Sequence, residues 1–150
     1  MGEKVVATNR KARYDYHITD TIEAGLVLKG TEVKSLRDGK VNIKESYALI
    51  ENSEMFLLGV HLSPYSHGTT HAHEPDRKRK LLLHKGEILK LKRTIEQKGL
   101  TVIPLKIYFK NGKAKVLLGT ARGKAKHDKR RDIAEREVKR EIARSVKTKY

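Results

Sequence analysis

His61, His67, His71 and His73 fall in one short stretch, with Glu74 and Asp76 just behind them. Imidazole nitrogens and carboxylates are the ligands a chain without cysteine would use for zinc, and this chain has no cysteine. His71 and His73 are spaced to chelate from an extended segment. Zinc, however, takes three or four ordered ligands with a supporting shell, and Glu74 and Asp76 are the only carboxylates close by. A solvated or RNA-facing loop is the better account, so neither a metal nor any other cofactor is expected. His17, His61 or His127 beside a carboxylate could do acid and base work on a phosphodiester. No spacing selects such a pair, so a ribonuclease stands as a remote alternative and no catalytic residue is expected. The glycines are scattered as turn and strand terminators rather than gathered into a phosphate-cradling loop, which argues against an NTPase.

Charge points elsewhere. The 150 residues carry 34 Lys and Arg against 18 Asp and Glu, a net charge of +16 with a pI near 10.1. Such a field attracts polyanions. The hydrophobic fraction is 37%, enough for one modest core but not for packing every segment. The longest apolar run, Met55–Val60, is too short to span a bilayer, and charges interrupt the N-terminal stretch. The expectation is a cytoplasmic monomer that binds nucleic acid and no membrane.

The elements that must hold these charges can be read in outline. Residues 1–13, with Lys4, Arg10, Lys11 and Arg13, read as a flexible basic arm. A strand is expected near Tyr14–Ile18 and another over Thr21–Leu28. Thr31 reads as the N-cap of a short helix, Glu32–Arg37, stopped by Asp38-Gly39. Tyr47–Glu51 and Met55–Leu62 flank Asn52-Ser53 as a hairpin. Ser63–Asp76 is a loop, Arg77-Lys-Arg-Lys80 a basic cluster, and Lys85–Gln97 a helix closed by Gly99.

Asn111-Gly112 is the strongest hairpin signal, because both central residues of a type I′ turn need positive φ. A turn there pairs Lys110 with Lys113, Tyr108 with Lys115 and Lys106 with Leu117. One face then shows Lys106, Tyr108, Lys110, Lys113 and Lys115, a basic strip with one aromatic suited to phosphate contact and base stacking. The other face, Leu105, Ile107, Phe109, Ala114, Val116 and Leu118, is core. Pro104 cannot donate to a ladder and marks a bulge or an edge.

From residue 121 onward 12 residues are Lys or Arg and 5 are Asp or Glu, a net +7. Asp128 can cap a helix running to about Val146, but its apolar stripe of Ala134, Val138, Ile142 and Val146 is narrow. Alone it should not offset its ordering entropy, so a helix is expected only on a partner. The fold class expected is mainly β: an antiparallel oligonucleotide-binding-like barrel over 14–121 with embedded short helices, followed by a basic tail, 122–150, disordered in isolation.

At Asn9-Arg-Lys-Ala12, Glu23-Ala-Gly-Leu26, Gly30-Thr-Glu-Val-Lys-Ser-Leu-Arg37, Arg79-Lys-Leu-Leu-Leu83 and Gly123-Lys-Ala-Lys-His-Asp-Lys-Arg130 the chain resembles the small protein B family of tmRNA-binding proteins. The resemblance runs nearly end to end, with the motifs in family order. It implies a non-enzymatic adaptor that grips the tRNA-like domain of tmRNA and brings it to stalled ribosomes for trans-translation. The family's RNA-contact positions fall on Asn9, Glu23, Leu82 and Lys115, and Arg10 and Lys11 accompany Asn9 in its motif. In the tail, Gly123, Lys124, His127, Asp128, Lys129 and Arg130 match the segment that enters the vacant decoding centre and mRNA channel of the ribosome. Elongation factor Tu is implied indirectly, through aminoacylated tmRNA. The rival to this reading, besides a ribonuclease, is a general single-stranded RNA-binding or ribosomal protein.

Overall fold

Asn111 (φ 52°) and Gly112 (φ 74°) reverse the chain between the two longest strands of the C-terminal half, Thr101–Lys110 and Lys113–Gly123. Their register is the expected one: Lys110 faces Lys113, Tyr108 faces Lys115 and Lys106 faces Leu117. The ladder slips between Pro104 and Lys106, leaving Leu105 as the extra residue of a bulge.

The computed structural model describes residues 3–64, 73–123, 137–140 and 142. In chain order the elements are β1 (Lys4–Thr8), α1 (Arg10–Asp15), β2 (Tyr16–Leu26), α2 (Gly30–Arg37), β3 (Val41–Asn42), β4 (Tyr47–Glu51), β5 (Glu54–Leu58), β6 (His61–Leu62), β7 (Arg79–Leu82), α3 (Lys85–Lys98), β8 (Thr101–Lys110) and β9 (Lys113–Gly123). Seven strands form one antiparallel sheet in the order β1-β8-β4-β5-β7-β2-β9, with β8 also paired to β9; β3 and β6 form a small second sheet. The protein is thus mainly β with short helices, as the sequence predicts. The large sheet curls back on itself, but between β4 and β8 the ladder is a single pair, Ala48 with Val102.

Inside the curl lies the main core, built on Leu36, Ile43, Met55, Leu57, Leu81, Ile107, Val116 and Leu118, with Ile88 and Leu91 from one face of α3. Helix α3 ends at Gly99 (φ 62°), whose N–H returns to the Ile95 carbonyl, a left-handed stop that costs glycine no side-chain clash. A second, smaller cluster, Ala12, Ile103, Leu105 and Ala121, sits under α1. Leu105 belongs to it and not to the main core, because the bulge changes the face on which the preceding residues of β8 project.

Several expectations need correction. The flexible arm over 1–13 is instead β1 paired with β8, followed by α1, with Val6 and Ala7 packed against the main core. Tyr14 and Asp15 close α1, and the two strands expected between Tyr14 and Leu28 are one, β2, with an irregularity between Ile18 and Asp20. Lys29, not Thr31, precedes α2; the Glu32 carboxylate accepts the Lys29 N–H at 2.8 Å. The Asn52-Ser53 hairpin is present with both φ positive, but its second strand stops at Leu58, where Gly59 (φ 77°) turns the chain away. Of the expected tail helix, residues 137–140 and 142 are helical, and its other residues lie outside the described ones.

Candidate nucleic-acid interface

One row of side-chain positions crosses five strands: Leu82 on β7 faces Gly25 on β2, Gly25 faces Lys115 on β9, Lys115 faces Tyr108 on β8, and Tyr108 faces Val5 on β1. The next row places Glu23 opposite Leu117, and Leu117 opposite Lys106. Gly25 contributes no side chain, so Leu82 and Lys115 border an open notch. A Cβ on Gly25 would lie 3.2 Å from the Leu82 Cβ. Glu23, Gly25, Leu82, Leu83, His84, Glu87 and Lys115 line a shallow groove of about 410 Å³. It continues over Lys113 and Phe109 through the same Leu82, Gly25 and Lys115. Leu82 is 54% exposed, an apolar side chain offered to solvent in the middle of charge.

Glu23 is the acid set among the lysines of this face, with Glu87 at the α3 edge of the groove. Its Oε2 accepts the Tyr108 hydroxyl and lies 3.6 Å from Lys110 Nζ. The Tyr108 hydrogen bond, with Lys110 and Lys115 nearby, holds the carboxyl below its ordinary value against a desolvation effect that raises it. The carboxylate is therefore ionised at neutral pH, an acceptor among cations. Burial and the Glu23 charge push the Tyr108 phenol up, so it stays a donor.

The sequence places Tyr108 on an open strip as a stacking aromatic, but it is 1% exposed. Strand β1 flanks it on one side and Lys106 covers it, with Nζ 4.9 Å from the ring centroid. Lys106 is also 3.3 Å from Glu3. Among the described residues Lys113 and Lys115 are in no close ion pair, although the Lys115 charge acts on Glu23.

Asn9 is buried, and its side chain is committed: Nδ2 donates to the Pro104 carbonyl at 3.0 Å, and Oδ1 accepts the Ala12 N–H at 3.2 Å as the cap of α1. It thereby fixes where Arg10 begins. Arg10, Arg13 and Lys106 line a second groove with Thr8, Leu105 and Leu117. Lys11 points elsewhere, 4.0 Å from Asp15.

The Arg77–Lys80 run is not a free anion site. Arg77 and Arg79 both turn to Glu32, each at 2.6 Å, while Lys78 and Lys80 pair with Glu51 at 2.6 Å and Glu54 at 3.0 Å. Alternation along the extended chain into β7 sends Arg77 and Arg79 to α2 and Lys78 and Lys80 to the β4–β5 hairpin. The histidines likewise part company. His73 is buried, with Nε2 donating to the Leu62 carbonyl at 2.9 Å and Nδ1 3.0 Å from the Thr31 hydroxyl, which donates to it in the neutral ring. His61 lies 2.9 Å from Asp76. His67 and His71 lie outside the described residues, among which no group of three metal-ligating side chains occurs. Gly123 ends β9 opposite Tyr16; Lys124, His127, Asp128, Lys129 and Arg130 lie outside the described residues. Sequence reasoning passed over Gly25 and His84, although an isolated glycine within a strand pattern is itself a signal of close approach.

Residues 6–148 match the family model described as SmpB protein. This chain belongs to the SmpB family. An SsrA-binding protein of Acetivibrio thermocellus is 57% identical over 148 residues, covering 99% of this chain and 96% of the relative. Those of Desulforudis audaxviator and Staphylococcus aureus strain Newman are 58% and 54% identical, over 98% and 97% of this chain and 96% and 94% of the relatives. A solved SmpB-family chain, from a structure described as "tmRNA-SmpB: a journey to the center of the bacterial ribosome", is similar with a TM-score of 0.67 and 55% identity, covering 80% of this chain and 85% of that one. Among the described residues no helix is long and apolar enough to cross a membrane.

Proposed function

We propose that this chain is a non-catalytic adaptor that binds the tRNA-like domain of tmRNA and delivers it to stalled ribosomes for trans-translation. The observation that carries the reading is the nearly full-length match to SsrA-binding proteins at 54% to 58% identity. The geometry supports it by supplying a surface of the right chemistry. Lys113 and Lys115 answer phosphates, Leu82 offers an apolar platform for a base or ribose face, and Glu23 accepts from base or ribose donors where another lysine could not. Arg10 and Lys106 extend the same face, with Asn9 as the cap that orients its first helix. The tail from Gly123 through Lys124, His127, Asp128, Lys129 and Arg130 acts separately, entering the vacant decoding centre and mRNA channel. Elongation factor Tu joins through the aminoacylated tmRNA.

The test is to identify the RNA that copurifies with the protein from cells and to compete labelled tmRNA against bulk tRNA. A stable RNA with a tRNA-like end, bound in preference to tRNA and recovered whole with or without chelator, is the expected outcome. Equal binding of bulk tRNA would indicate a general RNA binder, and cleaved tmRNA a ribonuclease.

A further inference from the structure

Glu23 stands on β2 in the row next to Tyr108, yet its carboxylate is not free to choose its direction. The Tyr108 ring is sealed between Val5 of β1 and Lys115 of β9 in the ladder and roofed by Lys106, leaving the residue 1% exposed. Enclosure fixes the position of the phenol oxygen, and its hydroxyl donates to Glu23 Oε2. Lys110 approaches the same oxygen at 3.6 Å. Among the described residues nothing donates a hydrogen bond to Oε1, while both partners of the carboxylate meet Oε2. On a surface glutamate, which otherwise loses side-chain entropy on ordering, this is preorganisation.

We propose that Tyr108 is the positioning residue of the RNA-binding face, whose buried hydroxyl fixes Glu23 by Oε2 and so presents Oε1, beside Leu82 and Lys115, as the acceptor for one hydrogen-bond donor of an unpaired nucleotide, an amino group or a 2′-hydroxyl. The inference rests on the reading that this face binds tmRNA. It gives Tyr108 a role opposite to the stacking one its sequence position suggests: the aromatic never touches RNA. It also gives the face a selectivity that cations alone lack, since a fixed carboxylate repels phosphate and rewards a donor.

Tyr108→Phe removes the hydroxyl and keeps the ring. Expected for tmRNA binding is a loss of roughly tenfold, the scale of one hydrogen bond to a charged group, with an unchanged salt dependence because no phosphate contact is lost. Glu23→Gln should weaken binding at least as much, and Tyr108→Phe should add little on top of it, because the two act through one group. A pH profile separates positioning from general damage: without its hydrogen bond Glu23 titrates higher, so the acid fall-off of binding moves to higher pH in Tyr108→Phe. Binding by Tyr108→Phe at wild-type affinity, or a loss fully additive with that of Glu23→Gln, overturns the inference while leaving the tmRNA reading intact. Wild-type tmRNA binding by Glu23→Gln overturns both Glu23 as a contact and the inference resting on it, and failure of the protein to prefer tmRNA sinks the reading itself. Should Tyr108→Phe fail to fold, Glu23→Asp decides: it leaves the core untouched but shortens the reach from Tyr108 by one methylene, and full affinity there overturns the inference.

Discussion

Arg79 and Glu32 form an ion pair with neither side chain exposed, Nε donating to Oε2 at 2.6 Å. The other two guanidinium nitrogens of Arg79 also donate, Nη1 to the Val60 carbonyl at 2.8 Å and Nη2 to the Pro75 carbonyl at 3.0 Å. Glu32 accepts in addition from Arg77 at 2.6 Å and from the Lys29 N–H at 2.8 Å. This network ties α2 to β7, to Val60 just before β6 and to residues 75–77, which lead into β7. Removing Glu32 leaves Arg79 charged, buried and uncompensated, whereas removing Arg79 leaves the buried Glu32 with the partly exposed Arg77 as its counter-ion and strips the Val60 and Pro75 carbonyls of their donor. Arg79→Ala or Glu32→Ala should therefore destabilise the fold by about 3–5 kcal/mol, read as a fall in the urea midpoint with the slope unchanged.

The same carboxylate sets an acid limb. Burial of Glu32 acts to raise its pKa, but hydrogen bonds from Arg77, Lys29 and Arg79 outweigh it and hold the group at about 2 against an ordinary 4.5. A group depressed in the folded state binds fewer protons there than in the unfolded chain. Its stabilisation is thus fully present above about 4.5 and lost as pH falls toward about 2. Urea titrations across that range should find the wild-type advantage over Glu32→Gln shrinking as pH drops. An advantage that stays constant would contradict this assignment.

Legibility in the sequence followed the locality of the cause. Asn111-Gly112 dictates its own turn, and the β8–β9 register follows from two residues. The basic strip and Lys115 were therefore readable from spacing. Arg79 was not, because its partner Glu32 is 47 positions away and a run of four cations gives no hint which of them turn inward. The spacing puts Tyr108 on the correct face but open, since only the tertiary pairing of β1 with β8 covers it, and β1 itself reads as part of a flexible basic arm. Leu105 was misplaced for a subtler reason: Pro104 announces a bulge without saying on which residue the phase changes.

Gly25 carries the notch between Leu82 and Lys115. Its substitution by Ala would place a Cβ 3.2 Å from the Leu82 Cβ, tighter than ordinary contact, so Leu82 must shift. The expected result is weaker tmRNA binding, by roughly tenfold, with stability changed by about 1 kcal/mol, since the neighbour is an exposed side chain. Gly86→Ala is the matched control: the same methyl meets nothing within 4 Å near the start of α3. It should leave binding unchanged and raise stability slightly, by about 0.5 kcal/mol. Equal binding by both variants would show that the notch is not part of the interface.

The proposed function has the face and the tail meet different RNA, so the two should separate by mutation. Lys115 has no ion pair among the described residues and stands in the row with Leu82 and Gly25. Lys115→Ala should weaken tmRNA binding and reduce the salt slope by about 1, the signature of one phosphate contact. Changing Asp128, Lys129 and Arg130 together to Ala should leave tmRNA affinity in place and abolish peptide tagging in a reconstituted translation system. The charge balance of the tail segment, +7, means that two fewer cations still leave it basic, so a loss of tagging would reflect the identity of these residues and not mere depletion of charge. If the tail variant loses tmRNA binding as well, with its fold intact, the two surfaces form one site and the division of labour is wrong.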